Sequence, residues 1–510
     1  MTNSITTMGE VRRNVPWTLL SYVVNRGMSL AVTIVLAHLL TPTDFGLVAL
    51  ALTIMTVFNI ASGLGLANVL ITERGLTPRK EGTLLTMTVA SGAIVALIVL
   101  AAAPAAAAIF SDVRLEGILA AVAPIVLITS FTWFYDALLQ RSFRFGRRLV
   151  VLTFESAAYA AVALGLAVAG AGYWSLVGGQ LAAVTAAAVG FVALAPRRPR
   201  PGFDAPTARR ALSSGSGFLL QSAFGFVQQN TDFIVVGKML GPTKLGYYSA
   251  AYRLGDLPFS GIADPVFRVT FPAFARMHGA GEKVGGSFLR ATRIVVFVSA
   301  PIGILISAMA HPFVEVVLGR KWIPMAPALT ILGIWAVLRS IEGSVVWFLN
   351  ALGEARIVGA WSGVLLVPLI GGIVAAALVG ITAVASVILA HTCLLLVILA
   401  VAVERRAGVP LSAQLRATRG VAFASAAAWV AAASVSRLSD SSFSPVGALL
   451  LGGAAGLLAY AIAVLRWDRG LVRDCLGQLR QVAGGAGLRK ERAVKARLAE
   501  PTDALARRRS

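Results

Sequence analysis

Apolar runs of about 20 residues recur along the chain from Pro16 to Arg466, with short polar stretches between them. A run of that length crosses a ~30 Å hydrocarbon core at about 1.5 Å per residue, so each predicts a transmembrane helix. The predicted spans are residues 15–40, 46–71, 82–110, 117–139, 149–170, 174–195, 216–240, 246–275, 288–310, 326–350, 357–378, 380–403, 421–437 and 446–466. Only Val379 and its neighbours divide the eleventh span from the twelfth. The first run lacks a small-residue cleavage site and is long enough to span, which marks it as a retained helix rather than a cleaved signal. The expected fold class is all-α integral membrane, with about fourteen transmembrane helices.

Charge then sets the orientation. An even number of spans puts both termini on one face, and the segments on that face hold twenty-one Lys and Arg residues, clustered for example at Arg141 to Arg148, Arg197 to Arg210 and Arg405 to Arg419. The opposite segments hold five: Arg114, Lys244, Arg320, Lys321 and Arg437. The positive-inside rule makes the richer face cytoplasmic. It also accounts for the net charge of +22 without a nucleic-acid partner, in a chain that is 57% hydrophobic and only 13% charged. Cys393 falls within a span and Cys475 in the tail, so neither is placed for a structural disulfide.

A repeat at an offset of 200 residues organises the spans. Leu40-Thr-Pro-Thr-Asp-Phe-Gly46 aligns with Leu240-Gly-Pro-Thr-Lys-Leu-Gly246, and each copy follows the first span of a block of six. Six is even, so both blocks start from the same face, as in a parallel repeat about an axis along the membrane normal. The expected organisation is an N-lobe over residues 1–195, a basic cytoplasmic linker over 196–215 and a C-lobe over 216–403. Two further spans over 404–466 and a basic cytoplasmic tail over 467–510 follow.

Charged groups at the bilayer centre cost about 2.5–3.5 kcal/mol or more, so they are expected to face a bundle interior or a wet cavity. Asn25 and Arg26 lie mid-way along the first span. Gln228, Gln229, Asn230 and Asp232 lie in the seventh, and Arg253, Asp256, Asp264 and Arg268 in the eighth. Glu155, Arg339 and Glu342 lie within other spans, whereas Arg290 and Arg293 sit close enough to a cytoplasmic end to snorkel. Asp264 with Arg268 and Arg339 with Glu342 have the spacing of self-neutralising helix pairs, so a structural role stands beside a functional one. Arg26 and Asp232 lack an oppositely charged partner in their own helices and occupy equivalent spans of the repeat.

These residue types point to a phosphate-bearing amphiphile. A guanidinium stays charged when desolvated and grips phosphate oxygens bidentately, which makes Arg26, Arg253, Arg268 and Arg339 substrate candidates. The amides of Asn25, Gln228, Gln229 and Asn230 both donate to and accept from sugar hydroxyls. Asp232, Asp256, Asp264 and Glu155 are candidates for ion coupling. Pro258, Pro265 and Pro272, with Gly255 and Gly261, predict a bend in the eighth span. His38, His278, His311 and His391 are dispersed and form no metal-ligand spacing. No Gly-rich phosphate loop or nucleophile elbow is present, so no cofactor, metal or enzymatic activity is expected.

Over about residues 12–465 the chain resembles the polysaccharide transporter, or Wzx-type flippase, branch of the multidrug/oligosaccharidyl-lipid/polysaccharide exporter superfamily. The resemblance rests on Leu-Ala-His-Leu-Leu-Thr-Pro-Thr-Asp-Phe-Gly (36–46) and on Gln-Asn-Thr-Asp-Phe-Ile-Val-Val-Gly-Lys-Met-Leu-Gly-Pro-Thr-Lys-Leu-Gly-Tyr-Tyr-Ser (229–249), with Gly-Arg-Lys-Trp (319–322) in support. It implies two six-helix lobes facing each other across a cationic cavity. It further implies alternating-access transfer of a polyprenyl-diphosphate-linked exopolysaccharide or lipopolysaccharide unit across the bacterial inner membrane. Membrane lipid and the polysaccharide polymerase or export machinery are the implied partners, and Arg26 and Asp232 match positions where such transporters place polar cavity residues. Three other readings fit less well. A drug or cation antiporter usually has twelve spans and a carboxylate in the first; a lipid II flippase shares the fourteen spans but matches the loop motifs poorly. A membrane glycan polymerase generally needs a long outer loop, and the longest here, His311 to Met325, is short.

Overall fold

A computed structural model describes residues 27–63, 70, 77–142, 144–439 and 444–467. Asn25, Arg26, Cys475 and the tail beyond Trp467 lie outside the described residues. The helices in chain order are α1 (Gly27–Leu39), α2 (Pro42–Gly63), α3 (Pro78–Phe110), α4 (Arg114–Arg141), α5 (Phe145–Val168) and α6 (Tyr173–Leu194). There follow α7 (Ala205–Gly255), a π-helical turn (Phe259–Ala263), α8 (Asp264–Gly279), α9 (Gly285–Ala308), α10 (Ala310–Val317) and a 3-10 turn (Arg320–Met325). The rest are α11 (Ala326–Ala351), α12 (Ala355–Val364), α13 (Leu366–Ala377), α14 (Ile381–Ala407), α15 (Leu411–Ser439) and α16 (Pro445–Trp467).

The fold is all-α and membrane-embedded. Among the described residues eleven segments are long and apolar enough to cross a bilayer. The two arms of α7 fall short of that mark, the first because it carries Gln228, Gln229, Asn230 and Asp232 and the second because it runs only from the bend at Gly241 to Gly255. Gly241, at φ 81°, bends α7 ahead of Pro242, where the sequence predicts the end of one span and the start of the next. The predicted bend of the eighth span falls at Gly255 to Ala263, as a helix end followed by the π-helical turn. The thirteenth span begins at Leu411 instead of 421, since Arg416 and Arg419 lower its hydropathy without interrupting the helix. The second begins at Pro42 instead of 46 because proline is well suited to a first helical turn.

The apolar core is shared at one end of the bundle and divided at the other. One cluster joins Leu36 of α1, Leu47 and Leu50 of α2, and Leu119 of α4 to Leu245 and Tyr248 of α7, Leu329 of α11 and Val384 of α14. These positions lie toward the face that the Lys and Arg distribution makes external. Toward the opposite face, Leu84, Phe134, Leu139 and Phe191 pack with other residues of α3 to α6 and Ala211. A separate cluster gathers Phe274, Phe288, Phe348 and Leu399 from α8, α9, α11 and α14. The bundle is therefore knitted together at one end and split at the other.

The two copies of the repeat make that closure, by meeting each other. Thr43 and Thr243 hydroxyls lie 2.8 Å apart. A methyl group added at Gly46 would fall 1.7 Å from the Pro242 carbonyl oxygen, and one added at Gly246 would fall 1.8 Å from the Pro42 carbonyl oxygen. Two backbones touch here reciprocally, and only glycine permits it. The Gly-Arg-Lys-Trp segment seals the same end: Lys321 Nζ donates to the His38 and Leu40 carbonyls at 2.8 and 2.6 Å, and the Trp322 indole N–H donates to the Ala37 carbonyl at 2.9 Å. Carbonyls in the last turn of a helix lack intrahelical partners, and the cation of Lys321 also suits the negative end of the α1 dipole.

The linker is pinned to the first half. Arg197 pairs with Glu81, Arg79 lies 3.7 Å from Asp204, and the Gly202 N–H donates to the Thr86 hydroxyl at 3.2 Å. Asp204 then caps α7 by accepting from the Thr207 hydroxyl and backbone N–H, and these bonds hold its carboxyl below the usual carboxylate range.

Candidate functional site

α11 carries two different faces. Trp335, Arg339, Glu342, Val346 and Asn350 recur at helical spacing and line a polar cavity of about 430 Å³. Gln228, Gln229 and Asp232 of α7 enter the same cavity, as do Phe259 of the π-helical turn, Asp264 and Arg268 of α8, and His391 and Thr392 of α14. Pro265 in the first turn of α8 and the preceding π-helical turn aim Asp264 and Arg268 inward.

Each arginine in the lining is held by a carboxylate and an aromatic ring. Arg339 Nη1 donates to Glu342 Oε2 at 3.0 Å, and its guanidinium stands 4.7 Å from the Phe259 ring centroid. Gly343 makes room for that ring, since a methyl group there would meet Phe259 at 2.4 Å. Arg268 Nε donates to Asp264 Oδ2 at 2.7 Å and its guanidinium lies 5.8 Å from the Trp347 ring. Both helix pairs predicted from spacing form, and both face the cavity. Arg339 Nε and His391 Nε2 are buried yet have no hydrogen-bond partner among the described residues. Buried polar atoms are ordinarily satisfied, so a ligand with acceptor and donor oxygens fits this position.

Asp232 is 3% exposed, and the Tyr248 hydroxyl donates to its Oδ2 at 2.6 Å. The partner missing from the sequence pattern is thus a neutral phenol on the second arm of α7. Tyr248, Tyr252 and Phe233 pack edge to face beside it, and Tyr252 leans on Trp335 with ring centroids 5.1 Å apart. The described lining is not cationic: two arginines, Arg268 and Arg339, are set against three carboxylates, Asp232, Asp264 and Glu342.

The other sequence candidates are distributed elsewhere. Arg253 lines a separate cavity of about 240 Å³ between α1, α2 and α7, beside Thr33 and Trp322. Asp256 is half-buried where α7 ends, with its backbone N–H bonded to the Tyr252 carbonyl at 2.8 Å. Asn230 turns its amide back to the Phe226 carbonyl at 3.1 Å. Glu155 sits in the first half near the Arg148–Asp136 ion pair, which closes at 2.6 Å. Sequence reasoning missed Trp335, Phe259, Trp347 and His391 as site residues. The polar stripe at positions 335, 339, 342 and 350 was the available signal.

With this geometry in place, comparison with known proteins is informative. Residues 35–327 match the family described as polysaccharide biosynthesis protein. The chain belongs to this family. Among its relatives, the succinoglycan biosynthesis transport protein ExoT of Rhizobium meliloti is 24% identical over 69% of this chain and 71% of its own length. The lipopolysaccharide biosynthesis protein WzxC of Escherichia coli is also 24% identical, over 67% of this chain and 69% of its own. In fold, the chain is similar to the lipid II flippase MurJ in an inward closed conformation, with a TM-score of 0.72 and 12% identity over 89% of this chain and 99% of that one. An inward-facing MATE multidrug transporter aligns over 76% of this chain and 95% of its own, with a TM-score of 0.62 and 14% identity.

Proposed function

We propose that this member of the polysaccharide biosynthesis family moves a polyprenyl-diphosphate-linked oligosaccharide, an exopolysaccharide or lipopolysaccharide repeat unit, across the bacterial inner membrane by alternating access. The observation that carries the reading is the cavity beside α11, where two arginines, flanking amides and aromatic rings converge and Arg339 Nε is left without a partner among the described residues. Diphosphate oxygens would take the open guanidinium positions, competing with Glu342 and Asp264 for the same donors. Gln228 and Gln229 would bond sugar hydroxyls, and the faces of Trp335 and Trp347 would pack against the sugar rings. In this reading the lobes are residues 1–195 and 216–403, both termini are cytoplasmic, and the divided core is the loading side. Names of relatives such as ExoT and WzxC, which link transport and surface-polysaccharide synthesis, support the substrate class.

The test is complementation of a flippase-deficient strain at matched membrane abundance, scoring surface glycan and the lipid-linked intermediate left on the cytoplasmic leaflet. Arg339→Lys keeps the charge but loses the planar fork, so it should be impaired, and Arg339→Ala more so. Wild-type surface glycan from Arg339→Ala would place the diphosphate elsewhere. A second reading, cation-coupled drug export, is favoured only by the carboxylate-rich lining. It predicts drug resistance on overexpression that Asp232→Asn abolishes.

A further inference from the structure

The face of α11 opposite the polar cavity lines a different feature. Ile334, Val337, Leu338, Ile341 and Val345 form one wall of an apolar groove of about 610 Å³, closed by α9, α14 and α15. At one end this groove runs into a concavity of about 430 Å³, with Leu289 and Ala417 lining both. The second concavity holds Arg290 and Arg293 from α9 and Arg416 and Arg419 from α15, with Trp467 at the end of α16. Each arginine pair has i,i+3 spacing, so it projects from one side of its helix. None of the described residues lining either concavity is a carboxylate.

We propose that groove and arginines together bind an anionic glycerophospholipid of the cytoplasmic leaflet as a resident lipid. Guanidinium groups brought together from two helices, with no carboxylate among the described lining residues, suit an anion. The polarity of the lining follows that of a diacyl phospholipid. Arginines come first, then Gln414 and Thr418 at the level of the glycerol esters, then hydrocarbon wall from Val296 and Val421 to Ile304 and Trp429. Basic pockets between transmembrane helices on the cytoplasmic side are known to suit such headgroups, and a tryptophan at the helix end suits the interface. The occupant is a lipid of the surrounding bilayer and not the transported molecule, because α11 stands between this groove and the polar cavity. The headgroup would take contacts from α9 and α15 at once, adding to the direct packing of Val296, Ala300 and Ile304 against Val421, Ala424 and Tyr460 that already joins α15 and α16 to α9.

The proposal is tested with the full-length protein purified into nanodiscs of phosphatidylcholine containing a minor fraction of phosphatidylglycerol, with bound lipid counted by native mass spectrometry. Wild type should retain phosphatidylglycerol in preference to phosphatidylcholine and gain thermal stability from it. Arg290→Gln and Arg419→Gln, both at exposed positions, should each weaken that retention about five-fold, as expected for about 1 kcal/mol per basic residue at a membrane surface. Equal phosphatidylglycerol retention and equal thermal response in the double variant would overturn the proposal. So would displacement of phosphatidylglycerol by an equimolar short-chain polyprenyl diphosphate, which would mark the groove as a substrate site. A variant that elutes as aggregate is replaced by Arg290→Lys with Arg419→Lys, for which retention of the preference is required.

Discussion

The reciprocal glycine contact at the knitted end, external in the proposed topology, predicts that a single methyl group unlocks the transporter. In Gly46→Ala the new Cβ would sit 1.7 Å from the Pro242 carbonyl oxygen, and 2.8 Å from the Gly246 nitrogen. Neither neighbour is a side chain that can rotate away. To restore even a tight contact of about 3.0 Å, α2 and α7 must part by more than about 1 Å, which loosens the Thr43–Thr243 hydrogen bond and the packing beneath it. Overpacking of this kind costs about 1–3 kcal/mol. Since the cost falls only on the state with the external end closed, the balance between closed and open forms should shift about 5- to 150-fold toward opening. The assay uses a background without Cys393 and Cys475, carrying Thr43→Cys and Thr243→Cys. Oxidation should cross-link the pair and stop transport, and reductant should restore it. Adding Gly46→Ala should slow cross-linking and speed labelling by a membrane-impermeant thiol reagent. If labelling and cross-linking match the glycine parent, the contact does not hold the external end shut and the reasoning fails.

Other expectations follow from the same geometry. Trp322→Phe removes the indole donor to the Ala37 carbonyl and should destabilise the protein by about 1–3 kcal/mol, read as a lower unfolding temperature in detergent. Asp232→Asn should preserve folding and membrane level but abolish ion-driven transport in proteoliposomes; full activity would remove Asp232 from coupling. Tyr248→Phe strips Asp232 of its hydroxyl donor, and should impair the same transport at unchanged abundance. Reporter fusions after Leu240 and Arg320 should read as external and those at Arg148, Arg200 and Arg406 as cytoplasmic, and a cytoplasmic signal at Arg320 would break the topology.

The helices were legible in the sequence wherever hydropathy alone decides them: the tenth predicted span, 326–350, is within one residue of α11. Boundaries shifted where a charged residue belongs to the helix. Starting the thirteenth span at 421 treated Arg416 and Arg419 as loop residues, which hid that they line one concavity with Arg290 and Arg293 from more than a hundred residues away. The pairs Asp264–Arg268 and Arg339–Glu342 were legible because they are local in sequence. The partnership of Asp232 with Tyr248 was not, since it depends on the bend at Gly241 that folds one arm of α7 back toward the other. The 200-residue offset revealed that two segments are alike, but not that they touch.

That touch has the form of a symmetric pairing. A contact in which position 46 meets position 242 while position 246 meets position 42 is isologous, the kind that a symmetric homodimer makes with itself. Two identical chains must carry the same residue at both copies of every position, so any charge on the axis meets its own likeness. Two copies within a single chain are not bound by that rule. Position 44 is now an aspartate that accepts from the Thr41 backbone and hydroxyl, whereas its counterpart at 244 is a lysine. The glycines are alike because neither copy of the crossing admits a side chain, while the residues around them carry opposite sign.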